Sequence, residues 1–234
     1  MISIENLCIS YGKDKRVIEN LQLTISEGTI NGIVGLNGAG KTTLLNAMYG
    51  VKGIDTGGIT WHGERLSKKI VSYLVAEPFF YSNITGYEHL SLFENSHFPT
   101  EKWNELFHLP LHRIVDEYSS GMKKKLAILS VIKQDKPLII LDEPFNGLDM
   151  ETCRILHSIL LKIKQMGKTV IITSHIIETL TNLCDFIHYL EGGKIRFSKD
   201  KSEFKEFERE LIEGIENRNE YLMSELLGKS EKSL

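Results

Sequence analysis

Residues 35–42 read Gly35-Leu36-Asn37-Gly38-Ala39-Gly40-Lys41-Thr42, a match to the phosphate-loop pattern G-x-x-x-x-G-K-[ST]. Each residue type has a physical reason to be there. The glycines let the backbone curl until successive N–H groups point inward at phosphate oxygens. A helix opening at the end of the loop adds the positive end of its dipole. Lys41 then reaches the β- and γ-phosphates of a nucleoside triphosphate, and the Thr42 hydroxyl holds Mg²⁺. Asn37, Gly38, Gly40 and Thr43 complete the expected contacts in the cradle. The flanking sequence suits this reading. Ile30–Val34 is a short buried-strand candidate, and Thr42–Tyr49 carries Leu44, Leu45 and Met48 at helical spacing, with Gly50 as a stop.

About a hundred residues on, Leu138-Ile139-Ile140-Leu141 runs into Asp142-Glu143. An apolar strand ending in two carboxylates suits the second half of such a site. Asp142 is the candidate Mg²⁺ acid, and Glu143 the candidate base that polarises a water for attack on the γ-phosphate.

Strand–helix alternation surrounds these motifs. Pro137–Leu141, Thr169–Ser174 and Phe186–Leu190 read as strands, Glu151–Gln165 and Ile177–Leu183 as helices. That order predicts an α/β fold with a mainly parallel central sheet and helices on both faces. The first third, with Ile2–Ser10 and Val17–Ile25 around a turn at Gly12–Asp14 and a further strand at Ile59–His62, predicts an N-terminal antiparallel β subdomain. Between about residues 79 and 135, aromatics and helical spacing predict an inserted α-helical subdomain. Thr100 is the expected N-cap of a helix over Glu101–Phe107. Residues 1–198 thus form the expected main domain and 199–234 a helical tail. In the tail, Asp200 and Glu203 suit a capping box, and Phe204, Phe207, Leu211 and Ile215 line one face.

The bulk properties exclude several classes. The chain has 234 residues, 41% hydrophobic and 25% charged, with a net charge of −3; it suits a soluble globular protein and offers no basic field for nucleic acid. Its apolar runs fall far short of the ~20 residues that span a bilayer, and the N-terminus lacks a signal-peptide pattern. Any membrane-spanning part is expected from another chain. Cys8, Cys153 and Cys184 have neither metal-ligand nor redox spacing.

Further short motifs follow in order. Tyr118-Ser119-Ser120-Gly121-Met122 resembles the signature motif of the ATP-binding cassette family, Phe145-Asn146-Gly147-Leu148-Asp149 its D-loop, and Thr173-Ser174-His175 its switch histidine; Tyr11 stands where an aromatic stacks on adenine. The resemblance spans about residues 2–197 and implies a P-loop ATPase whose two copies face each other head to tail. It implies that Ser119 and the Gly121 amide contact the γ-phosphate bound to the other copy, from a helix beginning near Met122. It implies that His175 aligns the attacking water and that Asp149 couples the two sites. ATP and Mg²⁺ are the implied cofactors. A membrane permease and a second cassette, identical or different, are the implied partners, at the cytoplasmic face of the membrane.

Three departures stand out. Ala76 stands where the family has its Mg²⁺-binding Gln; Glu77 beside it either substitutes, with the loop shifted by one residue, or is a flanking exposed acid. The signature carries Ser120 and Met122 for Gly and Gln. Asn146 stands in the D-loop where Ser is common. The run Asn83–Leu90 and the Tyr-Ser-x-Gly-Met-Lys signature resemble bacterial exporter subunits for peptides, antibiotics and lantibiotic immunity. A soluble cassette of the translation or DNA-repair type is the alternative, disfavoured by a single phosphate loop and no coiled coil. A P-loop kinase is disfavoured by the signature motif.

Overall fold

The structure is a computed structural model and describes residues 1–12, 15–175, 177–207, 209 and 223–224. Two sheets organise it. An antiparallel sheet in the order β2-β1-β4-β5 is built from β1 (Ile2–Tyr11), β2 (Lys15–Ile25), β4 (Thr56–Trp61) and β5 (Glu64–Arg65). The larger sheet has the order β10-β9-β3-β8-β7-β6, from β3 (Ile30–Val34), β6 (Val71–Leu74), β7 (Leu138–Leu141), β8 (Thr169–Ser174), β9 (Phe186–Glu191) and β10 (Lys194–Asp200). Every pair in it is parallel except β9–β10. The α/β class, the mainly parallel sheet and the N-terminal antiparallel subdomain are as expected.

Strands β3, β7 and β8 are buried along their whole length, which is why none alternates: β7 is an unbroken apolar run, and β3 and β8 bury Asn31, Thr169, Thr173 and Ser174 among branched apolar residues. Their side chains divide by face. Ile33, Leu138, Ile140 and Ile171 join α1 (Lys41–Tyr49) and the antiparallel sheet in one core. Ile30, Ile139, Leu141, Val170 and Ile172 join the helices of the opposite face in a second. These helices are α2 (Gly86–Ser91), α3 (Thr100–Phe107), α4 (Ser120–Lys133), α5 (Met150–Gln165) and α6 (Ile177–Thr181).

Phe107 closes α3 and is 1% exposed within the second core. Phe107→Ala is expected to cost about 3–5 kcal/mol of unfolding free energy, the usual penalty for a deleted buried ring; urea denaturation measures it.

Several boundaries differ from expectation. Thr100 is the first residue of α3, with Pro99 in the cap position and no side-chain cap; Pro99 begins the turn because it has no N–H to lose. Helix α4 begins at Ser120, not near Met122, because the Ser119 hydroxyl accepts the Met122 N–H at 3.2 Å and caps it. Helix α6 ends at Thr181, and bonds from the Leu183 and Cys184 N–H groups to the Leu180 carbonyl turn the chain toward β9. The capping box at Asp200 is half made. Glu203 accepts the Asp200 N–H at 3.3 Å, while the Asp200 carboxylate takes the Ser202 N–H and hydroxyl. Residues 194–198, not read as a strand, form most of β10. Phe204 and Phe207 are buried; the expected positions Leu211 and Ile215, like the turn residues 13 and 14, lie outside the described residues.

His188 ties three strands together: its Nε2 donates to Asn31 Oδ1 at 3.1 Å, and its Nδ1 accepts from Ser198 Oγ at 2.7 Å. Burial pushes this imidazole down to about 4. The unfolded chain takes up a proton near pH 6.5 that the folded chain refuses until far lower. Stability from this group is therefore complete above pH 6.5 and lost as the pH falls toward 4, by up to about 3 kcal/mol. Denaturation at pH 7 and pH 5 is expected to differ in that direction, and His188→Gln is expected to reduce the difference.

Candidate active site

The loop at 35–42 connects β3 to α1, and two of its glycines are required by what surrounds them. A Cβ on Gly35 would stand 2.3 Å from the Leu190 carbonyl oxygen, a backbone atom that cannot step aside. Gly40 has φ +107° and lies against Ile18 and Val17, a conformation closed to L side chains. Lys41 is 8% exposed, and its ammonium donates to the Gly35 carbonyl at 2.7 Å and the Leu36 carbonyl at 3.4 Å. Those bonds fold the side chain back along the loop it belongs to.

Asp142, which follows β7, is 1% exposed. Its Oδ2 accepts from the Thr42 hydroxyl at 2.8 Å and its Oδ1 from the Thr173 hydroxyl at 2.6 Å. Thr173 also accepts the Glu143 N–H at 3.0 Å. Its single hydroxyl therefore locks both acids to the end of β8. Glu143 has φ +47°, a left-handed conformation that costs a non-glycine residue on the order of 1 kcal/mol or more. The turn breaks the strand pleat directly after Asp142 and separates the two carboxylates' surroundings. One is buried among hydroxyls. The other is met by His175, whose Nδ1 donates to Glu143 Oε2 at 3.0 Å, and by Asn146 Nδ2 at 3.4 Å. A carboxylate can only accept, so Nδ1 carries the proton in that contact.

The phosphate loop and the two acids share a cleft of about 590 Å³ lined by Tyr11, Asn37, Gly38, Gly40, Lys41, Thr42, Thr43, Asp142 and Glu143, with His175 reaching it through its bond to Glu143. Tyr11 stands 47% exposed, with the Lys52 ammonium 4.1 Å from its ring centre. Lys15 and Val17 also line the cleft. The sequence reading missed them because their only signal is their nearness to the Tyr11 turn. It also missed the bridging role of Thr173, which depends on β7 and β8 being neighbours.

Ser119 and Gly121 do not line this cleft. They open α4 beside the D-loop, where a Cβ on Gly121 would meet the Gly147 carbonyl at 3.3 Å. Asp149 caps α5, accepting the Thr152 N–H at 2.7 Å, and pairs with Lys125 of α4 at 3.1 Å. Those hydrogen bonds from Thr152 and the Lys125 ammonium hold its carboxyl well below the usual carboxylate range. At the departure from the family pattern, Ala76 and Glu77 are exposed, and the Ala76 carbonyl accepts from the Lys124 ammonium at 3.1 Å.

The family model described as ABC transporter matches residues 18–146, more than half of the chain. The chain belongs to the ABC transporter family. ABC relatives match over most of its length. The lantibiotic transport ATP-binding protein SrtF of Streptococcus pyogenes is 30% identical over 237 residues, covering 97% of this chain and 98% of the relative. The bacitracin transport ATP-binding protein BcrA of Enterococcus faecalis is 32% identical over 227 residues, covering 91% and 73%. A solved ATP-binding subunit of an ABC transporter superposes with a TM-score of 0.80 at 27% identity, covering 86% of this chain and 90% of that one. The ABC cassette MJ0796, solved as a dimer in a post-hydrolysis state with ADP and Pi, shares the fold at 18% identity, with a TM-score of 0.75 and coverage of 86% and 99%. This chain is accordingly an ATP-binding and ATP-hydrolysing ABC subunit. Among the described residues, no helix is long and apolar enough to cross a membrane.

Proposed function

We propose that this subunit powers export of a peptide, antibiotic or other hydrophobic compound through a separate membrane permease, working as a pair of cassettes at the cytoplasmic face of the membrane. The observation that carries the proposal is the coupling of the phosphate loop to both acids: Thr42 to Asp142, Asp142 to Thr173, Thr173 to Glu143, and Glu143 to His175. That chain of hydrogen bonds lets a triphosphate seated on the loop be sensed at the base and at the switch histidine.

In this reading Lys41 and the loop amides bind the phosphates, and Tyr11 packs on the base of the nucleotide. The hard oxygens of Thr42 and Asp142 fit Mg²⁺. Bound there, Mg²⁺ would neutralise charge on the β- and γ-phosphates. Glu143 orients and deprotonates the attacking water, and His175 holds the Glu143 carboxylate in place and faces the γ-phosphate. Ser119 and the amide of Gly121, at the positive end of α4, meet the phosphate held by the other copy. Asp149, paired with Lys125 of the same helix α4, links the two sites. Residues 1–198 form the motor domain, with residues 79–135 as its helical insertion and 199–234 as a tail.

SrtF and BcrA are named as transport ATP-binding proteins, and their likeness supports export of a comparable cargo. Phe79 and Tyr81, 77% and 59% exposed and in edge contact at 5.5 Å, follow directly on Glu77-Pro78. An exposed aromatic pair suits a docking surface for the permease.

The test is assembly. Glu143→Gln protein in saturating Mg-ATP is expected to run as a dimer in light scattering and as a monomer without nucleotide. It is also expected to retain a multi-span membrane protein from solubilised membranes. A monomer under both conditions, alone and with the permease, would reject the paired motor.

A further inference from the structure

The run Lys123-Lys124-Lys125 reads as a solvated charged face, yet its middle member turns inward. Lys124 is 6% exposed, on the stripe of α4 that also buries Ala127, Ile128 and Val131. Burying an ammonium is costly unless something receives it. Its receiver is the Ala76 carbonyl, 3.1 Å from Nζ and 48 residues away in sequence. Leu74, two residues before Ala76, pairs with Leu141 in the sheet, and its carbonyl accepts the Asp142 N–H at 2.8 Å. The turn that follows β6 is therefore pinned at one end by the strand that carries Asp142 and at the other by α4. Burial lowers the proton affinity of the Lys124 ammonium, and the carboxylates of Asp142 and Glu143 oppose that shift only in part.

Ala76 itself has no polar side chain, so its backbone carbonyl is the group at that position through which the turn is held. We propose that Lys124 is a positioning residue for hydrolysis, fixing the Ala76–Glu77 turn next to Asp142 and Glu143 with an ammonium supplied by the signature helix. The inference rests on the assignment of Asp142 and Glu143 to ATP hydrolysis. It adds a consequence: a movement of α4, the helix that carries Ser119 and Gly121, reaches the turn through Lys124 and the D-loop through the neighbouring Lys125–Asp149 pair. One helix thereby addresses both segments that flank the acids.

The experiment uses the full chain with Lys124→Met, which keeps the length and apolar stem but removes the charge and donor, and Lys124→Arg, which keeps both. Steady-state ATPase rates and ATP affinity are measured beside Glu143→Gln. The expected result for Lys124→Met is a kcat reduced about tenfold or more, with ATP affinity and KM within about twofold of the parent. Lys124→Arg is expected to stay within about threefold in kcat. Overturning results are a Lys124→Met kcat equal to the parent, or a parallel loss of kcat, affinity and thermal stability that Arg does not restore. If Glu143→Gln itself turns over at the parental rate, the hydrolytic assignment fails. If Glu143→Gln is inactive while Lys124→Met is unimpaired, only the role of Lys124 is lost.

Discussion

Glu143→Gln is expected to lower ATP turnover about 10²–10⁴-fold, the span typical for loss of a general base, while leaving ATP affinity within a small factor. The substitution is nearly isosteric. The Glu143 N–H still reaches Thr173 Oγ1, and a Gln oxygen can still accept from His175 Nδ1, so the geometry around the base survives. Only proton acceptance is lost. The local strain argues the same way. Glu143 adopts φ +47°, and Gln bears that conformation no better or worse than Glu, so stability should not move. Single-turnover hydrolysis and equilibrium nucleotide binding on the same sample separate the two effects. Turnover equal to the parent would exclude Glu143 as the base.

Lys41→Ala is expected to weaken ATP binding about 100-fold or more. Charge-assisted hydrogen bonds contribute on the order of 1.5–3 kcal/mol each, and two such bonds to phosphate oxygens account for that loss. Lys41 is nearly buried, and its ammonium rests on the carbonyls of Gly35 and Leu36. To bind phosphate it exchanges neutral acceptors for charged ones, a favourable trade that alanine cannot make. The same truncation removes a buried charge but also its buried methylene stem and its bonds to two loop carbonyls, so thermal unfolding is measured on the same sample to separate a loss of fold from a loss of binding. Calorimetric titration with Mg-ATP reads the affinity; an unchanged dissociation constant would place the triphosphate elsewhere.

Much of the fold could be read from the chain because its strongest signals are local. Leu138–Leu141 is an unbroken apolar run, and Ile30–Val34 and Thr169–Ser174 are short stretches rich in branched apolar residues, a length and composition that suit fully buried strands. β10 escaped the reading because it is an edge strand. Its half-buried and exposed positions alternate over the charged sequence 194–200, and an edge needs no apolar run. The candidate site divides likewise. Lys41, Thr42, Asp142, Glu143 and His175 sit in contiguous motifs, and the structure brings them to one place. Thr173 and Lys124 act across 31 and 48 residues of sequence, through neighbours that only the sheet order and the path of α4 reveal. The cap at Ser119 was a matter of two residues, decided by one hydroxyl.

The close approach at Gly35 has a mechanical outcome. The phosphate loop lies flush on the backbone at Leu190, and a Cβ on Gly193, in the turn after β9, would meet the Val17 carbonyl at 2.3 Å. The Gly193 carbonyl also accepts the Glu19 N–H at 3.1 Å. The β9–β10 hairpin thus meets the loop at Gly35 and the N-terminal sheet at Gly193 through backbone atoms. A displacement of the strand leading out to the C-terminus therefore has a path to the phosphate loop that runs from backbone to backbone.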